Sequence, residues 1–371
     1  MYLGIDLGTS AVKVVLADEN DSIVGDASAA LEVSRPAPLH SEQDPEDWWT
    51  ACDAAVRRLG QAHDLSAVRG IGLSGQMHGA TLLGEDDRPL RPAILWNDGR
   101  SEAECLSLEA TPRFRELSGN LAMPGFTAPK VLWVREHEPE IFAATRRVLL
   151  PKDFLRLRMT GDAATDVSDA AGTLWLDVAK RTWSDELLAA TGLTTSAMPE
   201  LFEGSQATGV LRAEVAASWG MERVPVAAGA GDQAAGALGV GVVKPGEASL
   251  SLGTSGVLFV ASDSFRANPD RAVHAFCHCL PDTWHQMSVI LSAASCLTWV
   301  TQLVGAKDEG TLLAEIEAAD RPGDALLFLP YLSGERTPHN DANATGTFLG
   351  LTHGTDRVAL GRAVLEGVAF A

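Results

Sequence analysis

The hydrophobic and polar positions of the first 35 residues alternate with the period of two that is typical of β-strands. This alternation covers residues 2–6, 11–17 and 23–33, and a polar turn signal at 19–22 separates the last two segments. The pattern predicts an opening β-meander of three strands. Such an opening differs from the strand–helix–strand start of a dinucleotide-binding domain.

A helical period begins after this meander. Asp44 is placed as an N-cap, and Pro45 is placed at the first helical position, where its missing N–H is no loss. The segments that follow alternate between the two periods, which predicts an α/β protein. Further strands are predicted at 68–73, 80–83, 224–228, 248–252, 257–261 and 326–329. Further helices are predicted at 128–137, 153–160, 184–191, 232–239, 293–304 and 357–371.

One six-residue segment occurs twice in similar form. Leu7-Gly8-Thr9-Ser10-Ala11-Val12 recurs as Leu252-Gly253-Thr254-Ser255-Gly256-Val257, each time between two predicted strands. The repeat indicates two copies of one domain plan, and we place the domains at 1–241 and 242–371. The second copy is much shorter, and its last amphipathic helix has no stop signal. We therefore expect the second domain to be truncated.

Composition narrows the possible functions. The 371 residues are 46% hydrophobic and 21% charged, which is a normal globular mixture of two-domain size. A net charge of −20 disfavours nucleic acids and anionic membranes as partners. The chain shows neither a signal peptide nor about 20 consecutive apolar residues, and its five scattered cysteines do not suggest a disulfide framework. We expect a cytoplasmic protein that binds neither nucleic acids nor membranes, and we consider a homodimer as its assembly.

The first Gly-Thr-Ser loop is a candidate phosphate site. Gly8 lets the backbone come close, successive N–H groups can form an anion nest, and the hydroxyls of Thr9 and Ser10 can add donors. Lys13 adds a positive charge. Asp6 precedes the loop, and a carboxylate beside a phosphate requires a cation such as Mg²⁺. The alternatives are an ordinary hairpin turn and a carboxylate that caps it, but the second copy of the loop favours phosphate.

The segment Gly229-Ala230-Gly231-Asp232-Gln233-Ala234 is similar to the dinucleotide fingerprint G-x-G-x-x-G/A. Asp232 would place a negative charge at the pyrophosphate, and the expected acidic residue about 20 positions later is missing. A carboxylate at the start of a helix can instead accept a proton from a hydroxyl that attacks a phosphorus atom. The structural alternative is an N-cap aspartate, and the two roles are compatible.

Two further polar segments are candidates for substrate binding. Gln76-Met77-His78 follows a predicted buried strand, so Gln76 and His78 could bond sugar hydroxyls beside an apolar wall formed by Met77. A structural histidine is an equal alternative. Trp96-Asn97-Asp98-Gly99-Arg100 offers an aromatic surface for a sugar, but a packed turn with an Asp–Arg pair is the interpretation we prefer.

These residues together resemble the FGGY carbohydrate kinases of the actin-like and Hsp70-like ATPase superfamily, which has a ribonuclease H-like fold. The similarity is carried by segments 4–10, 41–45, 75–79, 96–100, 125–133 and 251–256. Within the family, segment 75–79 is close to the form found in kinases of D-xylulose. The resemblance implies a two-domain kinase that uses ATP and Mg²⁺ to convert D-xylulose to D-xylulose 5-phosphate.

The resemblance also implies roles for individual residues. Asp232 matches the catalytic base, and Asp6 matches a catalytic carboxylate near Mg²⁺, so these two are the expected metal ligands. Met77 and His78 match the sugar-binding pair, and Gln76 and Asp232 are the other expected sugar-binding residues. The expected phosphate-loop residues are Gly8, Thr9, Ser10, Lys13, Gly253 and Thr254.

Two departures from the family pattern leave other functions open. Gln233 follows the base where Asn is frequent, which leaves the shape of the sugar pocket undetermined. The glycine-rich adenosine motif of complete members would lie beyond residue 371. The alternatives are a kinase for ribulose, glycerol or a similar substrate, an actin-like regulatory ATPase, and a non-catalytic sugar-binding protein.

Overall fold

The computed structural model describes residues 1–319 and 325–371, and the chain divides into two compact units. The first unit consists of Met1–Pro245, Ala261–Arg266 and Ala275–His285. The second unit consists of Gly246–Val260, Ala267–His274 and Gln286–Ala371. Each unit has its own hydrophobic core. The boundary that the sequence places at 241/242 stays a prediction.

Short strands and helices alternate along the whole chain. The strands are β1 (Tyr2–Leu7), β2 (Ala11–Ala17), β3 (Ile23–Ala30), β4 (Glu42–Gln43), β5 (Ile71–Gly75), β6 (Thr81–Leu83), β7 (Ala93–Ile94), β8 (Arg147–Leu149), β9 (Ala164–Asp166), β10 (Leu176–Asp177), β11 (Thr182–Trp183), β12 (Glu200–Phe202), β13 (Ala207–Val210), β14 (Pro225–Ala227), β15 (Ala230–Gly231), β16 (Ala248–Leu252), β17 (Gly256–Ser262), β18 (His274–Cys277), β19 (Trp284–Ile290), β20 (Leu327–Leu329) and β21 (Thr347–Leu349). The α-helices are α1 (Pro45–Ala62), α2 (Glu102–Glu109), α3 (Phe114–Ser118), α4 (Thr127–His137), α5 (Pro139–Ala144), α6 (Pro151–Thr160), α7 (Val167–Ala171), α8 (Asp185–Thr191), α9 (Ala213–Trp219), α10 (Asp232–Gly239), α11 (Ala294–Leu303), α12 (Glu309–Ala318) and α13 (Arg357–Phe370). Single 3₁₀ turns occur at Thr195–Ala197 and Pro269–Arg271.

The predicted meander is confirmed. Strands β1, β2 and β3 pair antiparallel in sequence order, and β3 ends three residues earlier than the pattern predicts. Leu3, Ile5 and Leu7 are buried on one face of β1, and Gly4 and Asp6 therefore lie on the other face. The alternation thus places Asp6 on the face opposite the hydrophobic core.

Helix α1 has the predicted start. The Asp44 side chain accepts a hydrogen bond from the backbone N–H of Glu46 at 3.0 Å, and Pro45 occupies the first helical position. Trp48, buried completely, and the other apolar residues of its stripe pack against the sheet of the first unit.

That sheet has seven strands in the order β13-β14-β5-β1-β2-β3, with β15 also pairing with β5. Strands β1, β14 and β15 all run parallel to β5. Because parallel strands present their carboxyl ends at one edge, the ends of β1, β5 and β15 lie side by side. This edge is where the candidate chemistry of the first unit is found.

The second unit begins with the predicted second hairpin. Strands β16 and β17 pair antiparallel around residues 253–255, and β20 pairs antiparallel with β21. Helices α11, α12 and α13 form the core of this unit with β20. Cys296, Val300, Leu312, Phe328 and Val364 are buried there.

Two expectations about chemistry outside the site can be compared with the structure. All five cysteines are buried and free. Among residues 1–319 and 325–371, no helix combines the length and the apolar composition that a membrane span requires.

Candidate active site

Two carboxylates lie at the carboxyl edge of the parallel strands. Asp6 of β1 pairs in register with Ser74 of β5, and Ser74 pairs on its other side with Ala230 of β15. The chain then enters α10, whose first residue is Asp232 and whose N-cap is Gly231. The register therefore brings Asp6 and Asp232 to the same edge, on either side of β5.

This placement raises the pKa of Asp232. Burial, together with the charge of Asp6, raises the pKa of its carboxyl to about 6, although hydrogen bonds from Gln233 act in the opposite direction. Two neighbouring carboxylates form an oxygen donor set, which suits a divalent cation. The residues present therefore fit Mg²⁺, which would be held by Asp6 and Asp232.

The first Gly-Thr-Ser loop is a tight hairpin turn. The Gly8 N–H donates to the Ala11 carbonyl at 3.0 Å, and a Cβ on Gly8 would lie only 3.1 Å from that oxygen. Ser10 and Lys13 are exposed, and Lys13 pairs across the hairpin with Asp6. The loop thus places exposed polar groups beside the first carboxylate.

Thr9 makes side-chain contacts that the sequence did not reveal. Its Oγ1 donates to Gln76 Oε1 at 3.3 Å and accepts from Trp96 Nε1 at 2.9 Å. The Gln76 amide also donates to Gln43 Oε1 at 3.1 Å, and Gln76 is only 2% exposed. In this structure Gln76 therefore lies between protein groups, and the hydroxyl hydrogen of Thr9 is directed at Gln76.

Met77 and His78 continue from the end of β5. Met77 lies over the N-cap of α10, since a Cβ on Gly231 would be 2.8 Å from Met77 Cγ. His78 has a left-handed backbone with φ of 69°, and its Nδ1 donates to the Gly172 carbonyl at 2.9 Å. The edge of its ring packs on Phe126 with centroids 4.7 Å apart. Met77 thus neighbours the N-cap residue of the helix that carries Asp232, whereas His78 contacts Gly172 and Phe126.

Lys130 holds the backbone of His78 from inside the protein. Its side chain is fully buried, and Nζ donates to the carbonyls of His78 at 2.9 Å and Gly125 at 2.7 Å. Thr127 Oγ1 donates to the same His78 carbonyl at 3.1 Å. Burial holds the pKa of the Lys130 amine well below its usual value. Lys130 lies in segment 125–133, but no local signal in the sequence indicated this contact with His78.

A second buried lysine lies under the same edge. Lys152 Nζ is 2.7 Å from Asp153, 2.8 Å from Asp166 and 3.1 Å from Asp169, and none of these four side chains is exposed. Burial by itself lowers the pKa of Lys152, but the three carboxylates outweigh it and raise the pKa. Burial raises the pKa of Asp169 well above its usual value, and the charges of Asp153 and Asp166 act in the same direction.

This buried ion cluster is connected to the candidate base. Asp166 caps α7 and accepts hydrogen bonds from the N–H and the hydroxyl of Ser168. Ser168 Oγ in turn accepts the N–H of Gly231 at 3.3 Å. Because Gly231 is the N-cap of α10, the cluster supports the backbone that carries Asp232. No local sequence signal pointed to Lys152, Asp166 or Ser168.

The segment 96–100 forms the packed turn that we preferred. Arg100 donates to both oxygens of Asp98, at 2.9 and 2.8 Å, and lies 4.8 Å from the ring centroid of Trp133. Asp98 is buried and also accepts the N–H of Ser41. Trp96 remains 46% exposed beside Thr9. The ion pair therefore fixes the turn and leaves the indole at the surface.

A cavity of about 530 Å³ lies along the sheet face that carries Asp6. Gly4 and Gly72 form its floor, and Lys13, Ser74 and Leu238 contribute to its walls. Glycines in place of larger residues leave space above the strands, and the volume is within the range of small-molecule sites.

The second Gly-Thr-Ser loop belongs to the second unit. Its backbone is fixed by α11, because the N–H groups of Ala293 and Ala294 donate to the carbonyls of Thr254 and Gly253 at 2.8 and 2.9 Å. Gly253 and Thr254 are exposed. This loop thus has the same hairpin context as the first loop, with its own supporting helix.

Comparisons with known proteins identify the family of the chain. Residues 1–239 match the N-terminal domain of the FGGY family of carbohydrate kinases, and residues 248–371 match its C-terminal domain. A xylulose kinase of Escherichia coli (strain K12) is 59% identical over 372 residues, which cover the whole chain and 77% of that protein. A xylulose kinase of Bacillus subtilis (strain 168) is 39% identical, covering 99% of the chain and 75% of that protein.

Solved structures give the same result. A crystal structure described as a "xyloylose kinase" from Brucella ovis has a TM-score of 0.96 at 58% identity, and covers all of this chain and 77% of that one. A ligand-bound xylulose kinase from Lactobacillus acidophilus has a TM-score of 0.93 at 26% identity, and covers 100% of this chain and 76% of that one. The two-domain α/β kinase fold is therefore confirmed, and the chain belongs to the FGGY family of carbohydrate kinases.

Proposed function

We propose that this kinase transfers the γ-phosphoryl group of ATP to the 5-hydroxyl of D-xylulose and so forms D-xylulose 5-phosphate. The observation that carries the proposal is the base position: Asp232, with a pKa raised to about 6, begins a helix beside Asp6. The names of the relatives, at up to 59% identity across the whole chain, support xylulose as the substrate. A place in xylose catabolism is consistent with that reaction.

Asp232 acts as the general base in this proposal. As the sugar hydroxyl attacks, its proton moves to the Asp232 carboxylate, which is ionised above pH 6. The N-terminal end of α10 stabilises the charged form that accepts the proton. Met77 provides an apolar wall over Gly231, and His78, whose Nδ1 donates to the Gly172 carbonyl, would contact the sugar beside it.

The nucleotide is assigned to the Gly-Thr-Ser loops. Mg·ATP, when bound, supplies the phosphoryl group and the cation charge that stabilises its transfer. The backbone of Gly8 to Ser10 and the Lys13 ammonium would hold phosphate oxygens, with Gly253 and Thr254 as the matching positions of the second unit. Asp6 and Asp232 would hold Mg²⁺. The cytoplasmic location, the homodimer and the absence of nucleic-acid and membrane binding stay predictions from the sequence.

The test is ADP release with Mg·ATP and a panel of D-xylulose, ribulose, gluconate and glycerol. D-xylulose should give the highest kcat/KM, and Asp232→Ala should lower kcat by about 10³-fold or more because the general base is lost. Asp185→Ala is the matched control, since Asp185 is also the first residue of its helix but is exposed. Turnover that ignores every sugar would favour the regulatory ATPase, and full activity of Asp232→Ala would refute the assigned base.

A further inference from the structure

Gln43 lies at the centre of a hydrogen-bonded chain that joins the two sides of the candidate site. Its Oε1 accepts from Trp48 Nε1 at 2.9 Å and from Gln76 Nε2 at 3.1 Å. Its Nε2 donates to the carbonyls of Thr9 at 2.8 Å and Glu32 at 3.1 Å. All four hydrogen-bonding positions of the amide are therefore used, and the side chain is only 3% exposed.

The direction of every bond in this chain is fixed. The indole N–H of Trp48 can only donate, and the two backbone carbonyls can only accept, so the Gln43 amide has one possible orientation. Gln76 must then present Nε2 to Gln43 and Oε1 to Thr9. Consequently the Thr9 hydroxyl donates to Gln76 and accepts from Trp96.

The chain connects two loops of different proposed roles. Thr9 belongs to the loop assigned to ATP phosphates, whereas Gln76 lies next to Met77 and His78 at the end of β5. Gln43 bonds to the backbone of the first loop and to the side chain at the second. Strand β4 also pairs with β7, which leads directly into Trp96. A shift at either end must therefore break or re-form bonds to a buried amide, which is costly.

We propose that Gln43 is a positioning residue that couples the Gly8–Ser10 loop to the sugar side of the site, so that sugar binding strengthens ATP binding. The inference rests on the proposed function for the identity of the two ligands. Coupling of this kind is reciprocal, so each ligand changes the affinity of the other by one common factor.

The coupling factor can be measured without turnover. The Kd of a non-hydrolysable ATP analogue with Mg²⁺ is determined by calorimetry, with and without saturating D-xylulose. In the wild type the Kd should fall on adding the sugar by a factor in the usual range of about 5–150-fold. Gln43→Met keeps the shape of the side chain but removes all four bonds, and the factor should fall to near 1.

The control variant is Trp48→Phe. It removes one bond to the same Gln43 oxygen but leaves the bonds to Thr9 and Gln76 in place, so the coupling factor should stay at the wild-type value even if the melting temperature falls. A factor of 1 in the wild type, or an unchanged factor in Gln43→Met, overturns the inference. An equal loss in both variants also overturns it, because a general structural defect would then explain the effect.

A measurement on the wild type guards against a variant that does not fold. D-xylulose alone should slow amide hydrogen exchange in a peptide that covers residues 8–10, and an unchanged rate at saturating sugar overturns the inference. Wild-type ADP release with D-xylulose, run in parallel, tests the proposed function separately. Its absence refutes the assigned reaction, whereas its presence with no coupling refutes only the role of Gln43.

Discussion

The buried cluster around Lys152 makes a sharp prediction about where a proton resides. Three carboxylates face one ammonium, and both oxygens of Asp169 lack a hydrogen-bond partner among the described residues, although Lys152 Nζ is 3.1 Å away. Burial and the charges of Asp153 and Asp166 raise the pKa of Asp169, so Asp169 is the carboxyl of the cluster that we expect to hold a proton. Asp169→Asn should therefore replace a neutral acid with a neutral amide of the same shape.

Two substitutions in this cluster should have very different effects on the free energy of unfolding. Asp169→Asn should not lower the free energy of unfolding at pH 7, because no charge of the folded protein is lost and the wild type must take up a proton at Asp169 on folding. Lys152→Met should cost about 3–5 kcal/mol, because it leaves Asp153 and Asp166 buried without their cation. Urea unfolding followed by tryptophan fluorescence measures both, and equal losses in the two variants would refute the assignment of the proton.

The pH dependence provides an independent check. The pKa of Asp169 is raised on folding, so the stability linked to its proton is complete below the unfolded pKa and is lost as pH rises through the folded value. Asp169→Asn has no such proton to lose. The variant should therefore gain stability relative to the wild type as pH rises, and a difference that is constant with pH would contradict this account.

Three other predictions follow from the same edge of the sheet. The kcat/KM for D-xylulose should fall about tenfold per pH unit below pH 6, because Asp232 must be deprotonated to act as a base, and a flat ADP-release profile down to pH 5 would contradict this. Lys130→Met should raise the KM for the sugar by about tenfold, with a smaller change in kcat. The reason is that it removes two hydrogen bonds of about 1 kcal/mol each, which hold the His78 and Gly125 carbonyls. Equal losses in kcat and in melting temperature would indicate a structural role alone. Gly229→Ala should destabilise the protein by at least about 2 kcal/mol in urea unfolding, because φ is +76° and the new Cβ would lie 2.0 Å from the Leu73 carbonyl oxygen.

The sequence predicts features that local patterns determine. The meander, the Asp44–Pro45 helix start and the helix beginning at Asp232 all follow from a period or a cap of a few residues, and the structure confirms each. The Gly-Thr-Ser repeat likewise indicated two hairpins, and both are present. Chemistry that a single exposed segment displays can thus be inferred before the fold is known.

The supporting residues could not be predicted in this way, because their partners are distant in sequence. Gln43 is 33 residues from Gln76, and Lys130 is 52 residues from His78. Their bonds depend on strand register and helix placement, which no short segment specifies. A lysine or glutamine that becomes buried gives no local signal of its own in the sequence. The sequence likewise gives no sign that the Gln76 side chain bonds to Gln43 on one side and Thr9 on the other.

Lys130, Ser168 and Gln43 stabilise the candidate site in the same way. His78 has a left-handed backbone that Lys130 bonds, the base Asp232 follows an N-cap that Ser168 bonds, and the phosphate loop carries a carbonyl that Gln43 bonds. Each of these three side chains is polar and buried, and each forms a hydrogen bond with a main-chain atom of the site rather than with a ligand. Because an unpaired buried polar group is costly, each loop has one favoured position before any substrate arrives. Substitutions at these supports should therefore alter substrate affinity and coupling, even though none of the three side chains is assigned to touch the sugar or ATP.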